Sequence, residues 1–294
     1  MIQFFKIAFA LSLSILFIAC NKTDDPIPET PPIPFATQYP IDFDNIEIYL
    51  NNYTMAVSSD YDVTFTKIPA GNPASLQNIK QQYGPLPFKT VNSNGVDYKV
   101  YYISLREGTQ LNPSKVDSVF VDYKGSLLNE TVFDRTYTNP SWFPLNGVVK
   151  GWQEIFPFFK SGTITAGASA GDPNVYSDFG VGVMFLPSGL GYYNRASTNI
   201  PSYSPLIFSF KLKSVNYVDN DFDGIDSRDE GLDTNLDTDG DTFPNYFDQD
   251  DDGDGYLTKS EIRINGVLPT SYSLIKDCSG NTTGTKKHLD RGCH

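Results

Sequence analysis

Sixteen acidic residues and only two basic ones, Arg228 and Lys259, fall between Asp219 and Glu261. Their spacing is chemically specific. Asp250, Asp252 and Asp254 alternate, Gly255 follows, and Glu261 closes a stretch of twelve residues. Carboxylates at its first, third, fifth and twelfth places, with the Tyr256 carbonyl at the seventh, wrap oxygens around one centre. Calcium, a hard cation that takes six to eight oxygens, suits that pattern. Leu257 is expected to anchor the loop. Two further runs share the aspartate spacing. Asp219, Asp221 and Asp223 continue through Gly224 to Asp226 and Glu230, and Asp237, Asp239 and Asp241 continue to Asn245 and Asp248. A solvated, disordered tail is the plain alternative for an acidic run. Regular spacing, interposed glycines and the apolar Phe222, Ile225, Phe243 and Phe247 oppose it. So many close carboxylates repel one another without metal, so folding here is expected to depend on calcium.

The net charge of −13 belongs to this segment, because the remaining residues carry 19 acids and 20 bases. No basic stripe exists, which argues against nucleic acid as a partner. The two histidines, His288 and His294, both lie near the C-terminus. Histidine general-base chemistry in the body of the chain is thereby excluded. Phenylalanine and tyrosine number 21 and 18, enough for a packed core, and 294 residues leave room for one ordinary domain with extensions.

The elements that must position any site are partly legible. Asp42 or Asp44 is placed to cap a short helix through Ile46, Tyr49, Leu50 and Tyr53, which share one helical face. Asp62 to Ile68 and Tyr98 to Leu105 read as strands, with an Asn94-Gly95 turn before the second. From Val116 the pattern changes. Val119, Val121 and Tyr123 alternate as a half-buried strand, and aromatic and glycine residues follow at irregular intervals. Taken singly, each of these aromatics reads as a core residue.

Taken in order, they resemble the FKBP-type peptidyl-prolyl isomerase family. The resemblance rests on Tyr123-Lys-Gly-Ser-Leu127, Phe133-Asp134, Phe143-Pro-Leu145, Val148-Val-Lys-Gly-Trp152, Pro187 to Tyr192, Ile200-Pro-Ser and Leu206-Ile-Phe208. It runs over residues 116–215. It implies an α+β fold, an antiparallel sheet wrapped on a short helix, and rotation of X–Pro bonds without a catalytic cofactor. It further implies a pocket floored by Trp152 and walled by Tyr123, Phe133, Val148, Val149, Ile200 and Phe208. Asp134 and Tyr192 would form the polar rim. Tyr192 would hold a substrate carbonyl, and Asp134 would either face the carbonyl carbon or orient its neighbours. Two places depart from the family. Ser141 stands where an aromatic is usual, with Trp142 beside it expected to point the other way. Residues 163–183 exceed the family's strand and read as a loop or bulge insertion. A weakly catalytic, proline-binding module is therefore an alternative, as is a calcium-dependent surface protein. The acidic loop at 250–261 likewise resembles an EF-hand loop, and the two earlier runs resemble thrombospondin type 3 repeats.

At the start, Ile7 to Ile18 is apolar and too short to span a bilayer comfortably. Phe17-Ile-Ala-Cys20 resembles a bacterial lipobox, with Phe17 where leucine is usual. It implies a lipidated Cys20 and an outer-membrane lipoprotein facing periplasm or cell surface. A cleaved signal with an incidental cysteine is the alternative. Asp24-Asp25 behind it resembles a Bacteroidetes-type surface signal. Six prolines between Lys22 and Pro40 read as an extended tether. In an exported chain, Cys278 and Cys293 read as a disulfide closing a polar loop, worth ~3 kcal/mol in the chain-entropy account. A zinc site with His288 and His294 has the wrong spacing for a finger. The expected organisation is a leader over 1–19, a tether over 20–41 and an extension over 42–112. An isomerase domain over 113–217, acidic repeats over 218–262 and a disulfide-closed tail over 263–294 follow. Proline-containing proteins or peptides would be the clients, and calcium the structural ion.

Overall fold

Alternation of β-branched and aromatic residues builds one large sheet, seen in a computed structural model that describes residues 32–71, 76–136, 140–169, 171–232 and 235–293. The expected leader, Cys20 and most of the tether lie outside these residues. Ile33–His294 cluster as one unit. Among the described residues, no helix is long and apolar enough to cross a membrane.

The elements in chain order are α1 (Phe35–Asn52), β1 (Tyr53–Val57), β2 (Val63–Lys67), α2 (Ile79–Tyr83), β3 (Phe88–Ser93), β4 (Val96–Arg106), β5 (Ser118–Leu127), β6 (Val132–Arg135) and β7 (Ser141–Pro144). Then follow α3 (Lys150–Ile155), β8 (Thr163–Thr165), β9 (Val175–Ser177), β10 (Gly180–Leu186), β11 (Leu206–Asn216) and α4 (Thr258–Glu261). The principal sheet runs β3-β4-β10-β11-β5-β6, with β7 also on β5. The pairings within it are antiparallel. The fold is thus α+β, an antiparallel sheet curled on a short helix, as expected.

Both sheet faces are covered, which is why every residue of β10 is buried. On one face α3 and the turn after it place Trp152, Ile155, Phe156 and Phe159 against Val100, Met184, Leu186, Phe208 and Phe210. On the other, α1 and the β1–β2 hairpin place Ile46, Tyr49, Leu50, Met55 and Phe65 against Ile103, Val183, Phe185 and Ile207. Successive residues of one strand serve opposite cores, the period-two rule at work.

Three boundaries differ from the sequence reading. α1 begins at Phe35, with Pro34 as its N-cap, so the expected tether gives way to helix before residue 41. Pro40 lies inside this helix and removes one backbone donor. Neither Asp42 nor Asp44 caps it. Asp42 is 1% exposed and points into the protein, where Ile46, Tyr49 and Leu50 on the same face bury the helix. Second, the stretch 42–112 is no appendage, because its strand β4 pairs with β10 inside the sheet. Third, residues 163–183 hold the β8–β9 hairpin as well as the start of β10. The Asn94-Gly95 turn is present and closes β3–β4 with both residues at positive φ, the two-residue geometry this pair favours.

Candidate functional site

The helix carrying Trp152 is only six residues long and is fixed by its surroundings. Glu154, 6% exposed, reaches Lys150 at 3.2 Å and Lys115 at 3.3 Å. Trp152 itself is 3% exposed. Rings meet it edge-on: Tyr123 from β5 at 5.0 Å, Phe208 from β11 at 5.3 Å and Phe143 from β7 at 5.7 Å. Edge-to-face contacts of this kind favour a fixed geometry over a sliding stack. Gly125 permits it. A side chain there would meet the Phe133 ring at 2.6 Å and the Phe208 ring at 2.9 Å.

Above this floor lies a cleft of about 430 Å³. It is lined by Tyr123, Asp134, Phe143, Val148, Val149, Trp152, Tyr192 and Phe208, together with Gly147, Gly191 and Arg195. Seven of the expected residues are therefore brought together. Phe133 and Ile200 are not on the lining. Phe133 packs on the Phe208 ring at 5.6 Å, and Ile200 is buried in the same core as Trp152 and Phe208. Phe143 and Arg195 were missed. Phe143 stood in the quoted motif and its aromatic character was the available signal, whereas nothing in the sequence marks Arg195. Trp142 is half exposed and packs on Phe120 at 5.2 Å, away from the cleft, as strand alternation requires. No described residue of 163–183 lines the cleft; Tyr176 of β9 meets Phe120 instead.

The rim is polar. The Tyr123 hydroxyl donates to Asp134 Oδ2 at 2.5 Å, and Asp134 Oδ1 accepts the Arg135 N–H at 2.8 Å. Burial, then the Asp134 carboxylate, raises the Tyr123 hydroxyl above the ordinary tyrosine range. Burial and the same carboxylate raise Tyr192. Both hydroxyls stay protonated donors at neutral pH. The Trp152 indole N–H is buried without a partner among the described residues.

Tyr192 sits on a turn held by α1. Asp42 Oδ2 accepts the Ser188 backbone N–H at 2.8 Å and its hydroxyl at 2.6 Å, while Oδ1 accepts Gln38 Nε2 at 2.7 Å. Ser188 O in turn accepts the N–H groups of Gly191 and Tyr193. Phe35 stacks on Tyr193 at 3.9 Å. Helix α1, most of it in the expected extension, thus braces the turn that carries Tyr192.

The acidic segment forms three loops with one hydrogen-bond plan. In each, the first aspartate accepts the N–H five residues on: Asp219 from Gly224, Asp237 from Thr242 and Asp250 from Gly255. The third-place and fifth-place aspartates each accept the N–H two residues on. One oxygen from each of Asp219, Asp221 and Asp223 lies within 4.8 Å of the others, and the same holds for Asp237, Asp239 and Asp241 and for Asp250, Asp252 and Asp254. Several oxygens remain buried and unpartnered, including Asp221 Oδ2, Asp223 Oδ2, Asp252 Oδ2 and both of Glu261. Burial raises these acids, with their neighbours adding to it: Asp223 to about 7, and Asp221 and Glu261 to about 8. Such a donor set fits a calcium ion. Asp248 follows a turn at Asn245–Phe247, and its own carboxyl is raised by burial. The 250–261 loop is entered from that turn and leads into the four-residue α4, so it lacks the paired helices of an EF-hand.

Cys278 and Cys293 form a disulfide, with Cα atoms 5.6 Å apart. That removes the zinc alternative, since both thiolates are consumed. His288 is buried, which pushes its ring down to about 4 and keeps it neutral.

Residues 109–165 match the family described as FKBP-type peptidyl-prolyl cis-trans isomerase. That stretch holds Tyr123, Phe133, Asp134, Phe143, Val148, Val149 and Trp152. Residues 220–285 match a family described as BamM C-terminal, which crosses the boundary expected at 262. The peptidyl-prolyl cis-trans isomerase Mip of Coxiella burnetii is 45% identical over 74 residues, covering 24% of this chain and 30% of that protein. The FKBP-type isomerase FkpA of Escherichia coli is 27% identical over 183 residues, 62% of this chain and 60% of that one. The chain thus spans less than two thirds of the length of either relative. The solved FkpA structure from Escherichia coli aligns with a TM-score of 0.34 at 29% identity, over 44% of this chain and 51% of that one.

Proposed function

We propose that the chain is a peptidyl-prolyl cis-trans isomerase acting on X–Pro bonds of proline-containing proteins or peptides. The observation that carries this is the cleft: a buried indole floor, aromatic edges around it, and protonated tyrosine hydroxyls at the rim. X–Pro rotation has a barrier of ~18–20 kcal/mol, set by amide resonance. No bond is broken, so no nucleophile is needed and no cofactor is called for. An apolar enclosure disfavours the charge-separated planar amide relative to the twisted one. The Tyr192 hydroxyl is the donor for the substrate carbonyl. Asp134 has an oxygen engaged by Tyr123 and another by the Arg135 N–H, which favours the orienting role over facing the substrate's carbonyl carbon.

In a proline-peptide isomerisation assay, the chain is expected to accelerate rotation. Tyr192→Phe removes the donor and is expected to cost ~10-fold or more, the range of a lost electrostatic contact in an excluded site. Asp134→Ala frees the Tyr123 hydroxyl and is expected to lower the rate as well. A wild-type rate no faster than either variant would sink the enzyme reading and leave a proline-binding module.

The acidic loops are read as structural calcium sites. Asp219, Asp221, Asp223, Asp237, Asp239, Asp241, Asp248, Asp250, Asp252, Asp254, Glu261 and the Tyr256 carbonyl are the ligands. The buried, partnerless carboxylate oxygens support this, because without a cation they carry their charge only at a high desolvation cost or give it up by protonation. At the other end, Cys20 is read as a lipidated first residue holding the chain to the outer membrane. Mass analysis of the mature N-terminal peptide tests it: a diacylglyceryl mass on Cys20 is expected, and an unmodified thiol would refute it.

A further inference from the structure

The three loops repeat one plan, and one residue breaks it. At the second place of each loop, the backbone N–H donates to a side chain seven residues on: Asn220 to Ser227, Thr238 to Asn245, and Asp251 to Thr258. The second-place side chain is neutral in the first two loops and a carboxylate only in the third. That carboxylate is 1% exposed, and neither of its oxygens has a hydrogen-bond partner. It does not turn toward its own loop's aspartates. One of its oxygens lies within 4.8 Å of oxygens from Asp223 and Glu230, both in the first loop. Glu230 is 3% exposed with both oxygens unpartnered, and Asp223 is 1% exposed with Oδ2 unpartnered. His288 Nε2 stands 3.9 Å from Asp251 Oδ2, beyond hydrogen-bond reach.

Three buried carboxylates converge, with no positive group among the three. Ligands of one calcium at 2.3–2.6 Å can be at most ~5 Å apart, and these oxygens satisfy that limit. We infer that Asp251 is a ligand lent by the third loop to the cation of the first, beside Asp223 and Glu230, so that the two loops bind calcium as a coupled pair. The inference rests on the calcium reading above. Two further contacts hold the loops in this register. Gln249 Nε2 donates to the Asp221 carbonyl at 2.5 Å, and Lys259 Nζ donates to the Phe222 carbonyl at 2.9 Å. The third loop must be ordered for Asp251 to be presented, so its filling is expected to raise the first loop's affinity, and reciprocally.

The test uses the full chain, purified in detergent, stripped of metal and titrated with calcium or terbium. Phe222→Trp, at a 73% exposed position, gives a sensitiser for the first loop, and Tyr256 serves the third. Asp251→Asn keeps the side-chain shape and the backbone bond to Thr258. It is expected to weaken the first loop by ~10-fold or more, since ligand charge sets affinity, and the third only by the coupling that is lost with it. Asp251→Ser gives the same ordering should the first variant misfold. Glu261→Gln weakens both loops, and adding Asp251→Asn to it weakens the first no further. First-loop affinity unchanged by either Asp251 variant would overturn the shared ligand while leaving calcium binding intact. No binding by wild type at any loop would overturn the calcium reading, and the inference with it.

Discussion

Removing calcium is expected to unfold residues 219–261 while the sheet survives. A ligand held at ~100-fold its Kd contributes about 2.7 kcal/mol per site, and nothing replaces it on chelation. The segment's own apolar core is small: Ile225, Ile262 and Ile275, with Leu268 and Tyr272 against them. The disulfide ties only the tail beyond it. Circular dichroism and limited proteolysis with and without chelator measure this, with cleavage expected inside 219–261 only in the metal-free chain. The pH dependence has a defined sign. Burial and neighbouring acids raise Asp223 to about 7, Asp221 and Glu261 to about 8, Asp251 to about 9 and Glu230 to about 10. Unfolded, these acids titrate near ~4. The metal-free folded form therefore holds protons that the unfolded form releases, so its stability is full below pH ~4, falls as pH rises above that value, and is lost as pH passes about 7 to about 10. With calcium bound, that decline should disappear. A segment equally protected at pH 8 in calcium and in chelator would contradict the account.

Replacing Asp42 is the second large effect. Asp42→Ala leaves the Ser188 N–H, its hydroxyl and the Gln38 amide without their acceptor inside the protein. Each buried donor left unpaired costs ~1–3 kcal/mol. The melting temperature is expected to fall by ~2–4 °C for each kcal/mol lost. Because Ser188 starts the turn that carries Tyr192, kcat/KM for a proline peptide should also fall, by roughly tenfold, as a donor moves out of line. Asp42→Asn keeps an acceptor in place and should lose less of both. Burial raises the Asp42 carboxyl, so the site already disfavours its charge, while its hydrogen bonds to Ser188 and Gln38 oppose that shift. A destabilised Asp42→Ala whose kcat and KM match wild type would separate the two roles and remove the positioning one.

Local signals were legible and long-range ones were not. Asn94-Gly95 marks a turn by its own backbone preference, and the alternation of Val119, Val121 and Tyr123 marks β5 without help. The ordered motif pieces located most of the cleft, because a strand and a short helix must supply those rings in sequence. Phe133 and Ile200 pack with the cleft's rings without lining it, a distinction that a motif does not carry. The role of Asp42 was invisible. Its partner Ser188 stands 146 residues away, and a lone aspartate near a helix start reads as a cap. The pairing of β4 with β10 was hidden for the same reason. Asp251 looked like one more acid in a run, and only its direction, away from its own loop, distinguishes it.

The central claim is that the Trp152 cleft rotates X–Pro bonds and does not merely hold them. Exchange spectroscopy on a proline tetrapeptide, with a catalytic amount of the full chain, measures both in one sample. Uncatalysed rotation takes ~10–100 s, too slow for cross-peaks at sub-second mixing times. Cis–trans cross-peaks are expected with the wild-type chain and should weaken with Tyr192→Phe. Line broadening from peptide binding with no gain in exchange would contradict it.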